Sequence, residues 1–431
     1  MLDDLEHLAF DLAERSRDER GSLSEMLARA FKAEHLKPRQ QKRVKERFHQ
    51  LLANERLIDF AIERATPSGV AGAIRGPVRL LVTRVLTGEM RPDTAARALE
   101  WVDWQRIAQI RDEARAIEDP VERLMVLGSL PDWLAYRLHR DHGDAAADLV
   151  TALCDTAPVT LRVNRLKGTR EQLAELLAKD GIETEPTAHA PDGLVIRTPT
   201  RLFTHATFHA GWFELQDEGS QLITVATAPP PGGVVLDACA GAGGKTLGLA
   251  AALANKGEIL ALDPEPRRLA DLKKRMRRAG AHNARAMQVP EDHWPEEVLA
   301  FARRADRILL DAPCTGCGSM RRKPDMRWRM DRDGMERLRA VQAELLDRAI
   351  GCLKPGARVV YATCSLLREE NEDVVAAALE RHPGIERVAL KEILGGERAA
   401  PISDPTGTWL ATRPDRHGTD GFFTAVLRRP R

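Results

Sequence analysis

Two cysteines carry the first chemical signal in the chain. Cys314 lies in "LLDAPCTGCGSMRRKPDMRW" (309–328) and Cys364 in "VYATCSLLREEN" (360–371). Each follows an apolar run that reads as a strand, "RILLDA" (307–312) and "RVVYAT" (358–363), so each thiol falls just past a strand end. A lone cysteine there usually serves packing, because a free thiol behaves as a small hydrophobe. Two at the ends of neighbouring strands can face one pocket. With Asp311 close by, they suit covalent catalysis: one thiolate adds to an electrophilic carbon and a second group helps it leave. Cys314-x-x-Cys317 also fits a redox or metal pair. No second Cys/His pair at zinc-ligand spacing accompanies it, so no metal is expected. Cys154, Cys239 and Cys352 read as structural thiols.

A third motif, "DACAGAGGKT" (237–246), ends like a nucleotide-triphosphate loop. That loop needs Gly-x-x-x-x-Gly-Lys-Ser/Thr, and the position of its first glycine holds Cys239. The stretch satisfies a different requirement. A strand, "VVLDAC" (234–239), runs into Ala240, Gly241, Ala242, Gly243 and Gly244 before a helix begins. Small residues allow close backbone approach, and the helix start presents free N–H groups. The next strand ends in Asp263, an acid placed to accept hydrogen bonds from ribose hydroxyls. Such a loop suits S-adenosylmethionine or a dinucleotide; a plain tight turn is the bland alternative.

Thiols beside a nucleoside-cofactor loop point to one reaction in particular. C5 of cytosine attacks a sulfonium methyl poorly until a thiolate adds at C6 and makes the ring an enamine. Loss of the C5 proton then lets the thiol leave. Methylation of an exocyclic amine needs no thiol and favours an aromatic clamp, which "DAPC" lacks.

The elements that must position these groups follow from periodicity. Residues 1–150 show apolar spacing of three and four, as in "LDDLEHLAFDLAER", and predict six or seven helices. Breaks are expected at Pro67, Gly76-Pro77, Pro92, Pro120 and Pro131. Residues 151–227 alternate strand, helix, strand ("VTLRVN", "TREQLAELLAKDG", "GLVIRT", "GWFELQD") and predict a small α+β module. Residues 228–431 read as a doubly wound α/β domain with strands at 234–239, 258–263, 284–289, 307–312, 358–363 and 422–429. Ligands in such sheets sit at the C-terminal strand ends.

The chain has 431 residues, 43% apolar and 30% charged, with net charge +1. That describes a soluble globular protein of two or three domains. No apolar run reaches the roughly 18 residues of a membrane span, no signal peptide is apparent, and scattered cysteines suit a reducing cytoplasm. Basic runs at 37–47, 267–278 and 321–332 raise the expectation of a polyanionic partner. Trp328, inside the last run, reads equally as a base-stacking or a core residue.

The three motif blocks resemble the signatures of the RsmB/Nop/Sun-type RNA 5-methylcytosine methyltransferases. "LPDWL" (130–134), "LRVNRLK" (161–167), "QDEGSQL" (216–222) and "DGFFTAVLRR" (420–429) are similar to that family too. The resemblance implies a Rossmann-like S-adenosylmethionine-dependent methyltransferase domain at 228–431, an RRM or ferredoxin-like module at 151–227, and a helical NusB-like RNA-binding domain at 1–150. It implies Cys364 as the nucleophile, Cys314 as the group assisting release, and Asp311 near both base and methyl donor, with Lys245 beside them. Cys239, Ala240, Gly241, Ala242, Gly243, Gly244 and Lys245 would wrap the cofactor's methionine part and Asp263 its ribose. The expected substrate is small-subunit (16S) ribosomal RNA, with a monomeric cytoplasmic enzyme. Transfer RNA as substrate, or a non-catalytic ribosome-assembly factor on the same fold, are the rival readings. Two positions depart from the family pattern. Ala242 stands where proline is usual. Val289-Pro290 stands where Gly-Asp is usual, so either Glu291 or Asp292 contacts the adenine after a shifted turn, or the adenine loses that hydrogen bond.

Overall fold

The computed structural model of the chain describes residues 3–16, 23–66, 72–198 and 200–431. Two compact units emerge where sequence divisions at residues 150 and 227 were expected. One unit is Met1–Thr156 with Ser319–Arg332; the other is Ala157–Gly318 with Asp333–Arg431.

The first unit is helical. Among the described residues it holds ten α-helical segments between Asp4 and Ala152, more and shorter than periodicity predicts. The longer ones bury an apolar stripe, for example Val44, Phe48, Leu51 and Leu52 on the helix Pro38–Ala53. Pro92 and Pro120 occupy first helical positions and Pro131 an N-cap, where the missing N–H costs nothing. Pro77 does not break its helix, which runs Gly72–Leu86. Burial of Val78, Leu80 and Val82 downstream outweighs one lost backbone bond. Pro67 lies outside the described residues.

Ser319–Arg332 joins this unit through Arg327, a fully buried side chain. Its Nε donates to the Gly128 carbonyl (2.9 Å) and its Nη2 to the Leu153 carbonyl (2.7 Å). Its Nη1 reaches the carbonyls of Met320 and Pro324. Carbonyl oxygens thus replace the water a buried guanidinium loses. Trp328 lies under the Arg56 guanidinium, 5.4 Å from ring centre. Arg327 is therefore taken out of the basic run 321–332 that was expected to meet a polyanionic partner.

The second unit contains two sheets. Four antiparallel strands, β1 (Thr160–Val163), β2 (Thr184–Pro186), β3 (Gly193–Ile196) and β4 (Phe213–Leu215), run in the order β2-β3-β1-β4. The helix Arg170–Lys179 packs on them through Leu173 and Leu177. Thr169 caps it in a reciprocal pair with Gln172, as the Thr-x-x-Gln spacing requires. Strand β2 has no sequence signal. "QDEGSQL" turns out to be mostly helix, Glu218–Thr227, started by the Asp217 carboxylate on the Gly219 N–H.

The larger sheet contains β5 (Val234–Asp237), β6 (Glu258–Asp263), β7 (Ala284–Gln288), β8 (Arg307–Asp311), β9 (Arg358–Thr363), β10 (Glu386–Val388), β11 (Leu410–Thr412) and β12 (Phe422–Arg428). Its order is β10-β12-β9-β8-β5-β6-β7, with β11 on β12. Strands β5 to β9 are parallel, and β10, β11 and β12 pair antiparallel. Alternate residues feed two cores: Leu236, Leu260, Ile308 and Tyr361 one, Val235, Ile259, Leu309 and Val360 the other. This is why the strands read as near-continuous apolar runs. Strand order reverses at β5, between β6 and β8. The loops after β5 and β8 therefore open at the switch point, where α/β sheets bind ligands. No described helix is long and apolar enough to cross a membrane.

Candidate active site

The loop after β5 is built for close approach. Gly243 has φ +84°, and a Cβ there would lie 2.0 Å from Leu272 Cδ1, so only glycine fits. Gly241 has φ +56°, and a Cβ there would meet nothing within 4 Å, leaving open space. Below, the Ala240 N–H donates to the Leu262 carbonyl (2.8 Å) and the Gly241 N–H to Asp263 Oδ2 (2.9 Å). Arg275 Nη1 donates to the Ala242 carbonyl (2.7 Å) and Arg162 to that of Gly244. Asp263, expected to face a ribose, is buried and already organises this loop; its Oδ1 accepts from Glu265 N–H (2.9 Å).

Asp237, at the end of β5, is a site residue that sequence reasoning missed. It is fully buried, with Oδ2 accepting from Thr246 Oγ1 (2.6 Å) and Oδ1 without any partner. Burial pushes its carboxyl up to about 6, against the Thr246 hydrogen bond. An orphaned buried acceptor beside an open glycine turn is what a ligand with N–H or O–H donors would complete. Its strand-end position was the only available signal.

The thiols meet. Cys314 Sγ lies 3.4 Å from Cys364 Sγ, joining residues 50 apart in sequence across the β8/β9 neighbour pair. The hydrogen bond from Cys314, aided by the Lys245 charge, holds the Cys364 thiol below its ordinary value despite burial. The same bond, with burial and nearby carboxylates, drives Cys314 well above its own. The shared bond thus favours ionisation of Cys364 over that of Cys314. Lys245 Nζ forms an ion pair with Asp311 Oδ2. Burial works against the Lys245 ammonium, but Asp311 and Cys364 outweigh it and keep its pKa raised. Cys239 stays a thiol, raised by burial and by Asp311 and Asp237.

Backbone stitches fix the thiol loops. The Gly318 N–H donates to the Cys364 carbonyl (3.0 Å), and the Gly421 N–H to the Gly318 carbonyl (2.8 Å). A Cβ on Gly318 would sit 2.2 Å from the Gly421 carbonyl oxygen. Cys317 points elsewhere: its buried Sγ accepts from Leu366 N–H (3.1 Å). Among the described residues no group of three His, Cys, Asp or Glu could hold a metal.

Residues 224–428 match the family described as 16S rRNA methyltransferase RsmB/F, and residues 130–202 match its ferredoxin-like domain. The Bacillus subtilis protein named "Probable ribosomal RNA small subunit methyltransferase B" is 36% identical over 318 residues, covering 73% of this chain and 69% of that protein. Ribosomal RNA small subunit methyltransferase B of Vibrio cholerae is 34% identical over 303 residues, 69% of this chain and 65% of that protein. The crystal structure of PH0851 superposes with TM-score 0.75 at 27% identity, covering 99% of both chains. The chain belongs to the RsmB/F methyltransferase family.

Seen as an RsmB/F member, the chain explains its two departures. Ala242 keeps the loop path because the Arg275 guanidinium grips its carbonyl. At the end of β7, Val289 is buried in the sheet core and Gln288 Nε2 donates to the Pro264 carbonyl (3.1 Å). Glu291 and Asp292 are both exposed, and Asp292 pairs with His293 at 2.8 Å, so no carboxylate is anchored at the usual position. The basic helix Pro266–Ala279 is also partly committed. Arg275 and Arg278 bind the buried Glu214, leaving Arg267, Lys273 and Arg277 exposed. In the helical unit, Arg47 of the run 37–47 is likewise spent on Glu6 and Glu89.

Proposed function

We propose that this RsmB/F chain is an S-adenosylmethionine-dependent RNA cytosine-C5 methyltransferase acting on small-subunit ribosomal RNA. The observation that carries the reading is the 3.4 Å approach of two sulfurs whose pKa values are pushed apart, the pattern expected of an assigned nucleophile and assistant. The matched stretch covers about two thirds of the curated relatives, and their names supply the ribosomal substrate.

The residues fit the cofactor. The open turn at Gly241, the helix start at Gly244 and the orphaned Asp237 Oδ1 would hold it, with Asp263 ordering the loop from below and Lys245 nearby. Bound there, it supplies an electrophilic methyl group. Cys364 Sγ adds to C6 of the cytosine, forming a C–S bond and loading electron density onto C5. The Lys245 ammonium stabilises the thiolate before attack, offsetting the opposing charge of Asp311, and its ion pair holds Asp311 beside the base. Once C5 carries the methyl group, the C5 proton passes to solvent water, its bonding electrons re-form the C5–C6 double bond, the C6–S bond breaks and the Cys364 thiolate is expelled. Cys314, kept protonated, hydrogen-bonds the departing sulfur. The base must be unstacked or single-stranded to reach the thiols.

Bisulfite mapping of RNA from cells lacking the protein tests this directly. Loss of one modified cytosine in small-subunit RNA supports it. Loss confined to transfer RNA, or no loss, sinks the ribosomal assignment or the activity.

A further inference from the structure

Beneath the thiol pair lies a carboxylate that this chemistry does not use. Glu370 is fully buried, in the short turn Arg368–Glu370 after the Cys364 loop. Its Oε1 accepts from Thr315 N–H (2.8 Å) and Gln342 Nε2 (3.0 Å). Its Oε2 accepts from Thr315 Oγ1 (2.5 Å) and from Ser365 Oγ. A carboxylate offers about four lone-pair sites, and all four are taken. Thr315 and Ser365 directly follow Cys314 and Cys364. Gln342 Nε2 also donates to the carbonyl of Pro313 (2.8 Å), the residue before Cys314. One side chain therefore ties together the backbone segments that carry both sulfurs.

The choice of an ionisable group here is informative. Among the described residues no basic side chain bonds to Glu370; its partners are neutral donors. Its charge opposes thiolate formation at both cysteines, a disadvantage for a nucleophile. Only an acceptor-only group, however, takes two hydroxyls and two N–H donors at once and fixes both hydroxyl directions. An amide would present its own donors to the hydroxyls and loosen that arrangement.

We infer that Glu370 is a positioning residue that sets Cys314 against Cys364. This rests on the roles proposed above for the two thiols. Its hold is unequal: three contacts lead to the Cys314 segment, through Thr315 N, Thr315 Oγ1 and Gln342, and one to the Cys364 segment, through Ser365. Release of product, which uses Cys314, therefore depends on Glu370 more than adduct formation does.

The test uses full-length protein with small-subunit RNA from cells lacking it, S-adenosylmethionine, and single-turnover timing of the denaturation-resistant adduct. Glu370→Gln should slow adduct decay by roughly tenfold or more, since a misplacement of about 1 Å can cost on the order of a hundredfold. Adduct formation should fall less, and RNA KM should stay unchanged. Thr315→Val and Ser365→Ala guard against misfolding of the first variant; the former should slow decay and the latter formation. Formation and decay falling by one factor, in step with the folded fraction, would make Glu370 merely structural and overturn the inference. A second arm needs no RNA. Diamide oxidation of Cys314 and Cys364 transfers two electrons and two protons to diamide, and peptide mapping identifies the disulfide. Removing the Glu370 charge by itself favours thiolate and would speed this oxidation, so the several-fold slowing expected in Glu370→Gln reports lost alignment of the two sulfurs; an unchanged or faster rate overturns the inference. If neither wild type nor Cys314→Ala forms adduct, the thiol roles fail, while the diamide arm still decides on Glu370.

Discussion

Replacing Asp237 by Asn should stabilise the ligand-free protein at pH 8 far more than at acid pH. The Asp237 carboxyl is fully buried, has one oxygen without a partner, and is raised from 3.8 to about 6. A group whose folded pKa lies above its unfolded value favours folding most when protonated, below about 4. Its contribution is lost as pH rises through about 6, because the folded state must then bury the bare charge. The gap from 3.8 to about 6 corresponds to about 3 kcal/mol. About two thirds of it falls between pH 4.5 and pH 8 by the same linkage. Asparagine mimics the protonated acid and keeps an acceptor for Thr246. The melting-temperature difference, variant minus wild type, should therefore grow by roughly 4–8 °C from pH 4.5 to pH 8. Taking the difference cancels every other titration in the chain. Scanning fluorimetry at the two pH values reads it. A difference that stays flat, or shrinks, would refute the assignment of a buried charge at this position. Cofactor added at pH 8 should narrow the gap again, because a ligand donor to Oδ1 would be lost in the variant.

The thiol assignments predict opposite phenotypes. Cys364→Ala should abolish both turnover and covalent RNA adduct, whereas Cys314→Ala should accumulate adduct that survives denaturing gels; exchanged phenotypes would reverse the roles. Lys245→Met removes the cation that lowers Cys364 and leaves Asp311 unpaired. Both changes raise the thiol pKa, so the ascending limb of the pH–rate profile should move to higher pH by about one unit or more, with about a tenfold loss at neutral pH; a profile that falls in height without moving would show that Lys245 does not tune the thiol. Glu370→Gln, as above, should separate release from adduct formation.

Much of the catalytic unit was legible because its signals are local. Strands buried on both faces must be continuous apolar runs, so "EILALD" and "RVVYAT" matched β6 and β9 to the residue. A βα turn that admits a ligand needs small residues, so "AGAGG" was legible from residue types alone. The placement of Cys314 and Cys364 past two strand ends followed from the same alternation. The short edge strands β2, β10 and β11 were not legible, because three residues each carry too little periodicity to register.

By itself, the sequence determined which residue types stand at the strand ends, and so the class of chemistry available. Only the tertiary structure decided partners. It brought two sulfurs from 50 residues apart to 3.4 Å, spent Arg275 and Arg278 on Glu214, and buried Arg327 in the helical unit. It also left Asp237 with an empty acceptor and surrounded Glu370 with four donors. The physical reason is that charge and hydrogen-bonding capacity belong to a residue, whereas burial and pairing belong to chain crossings that no local pattern encodes.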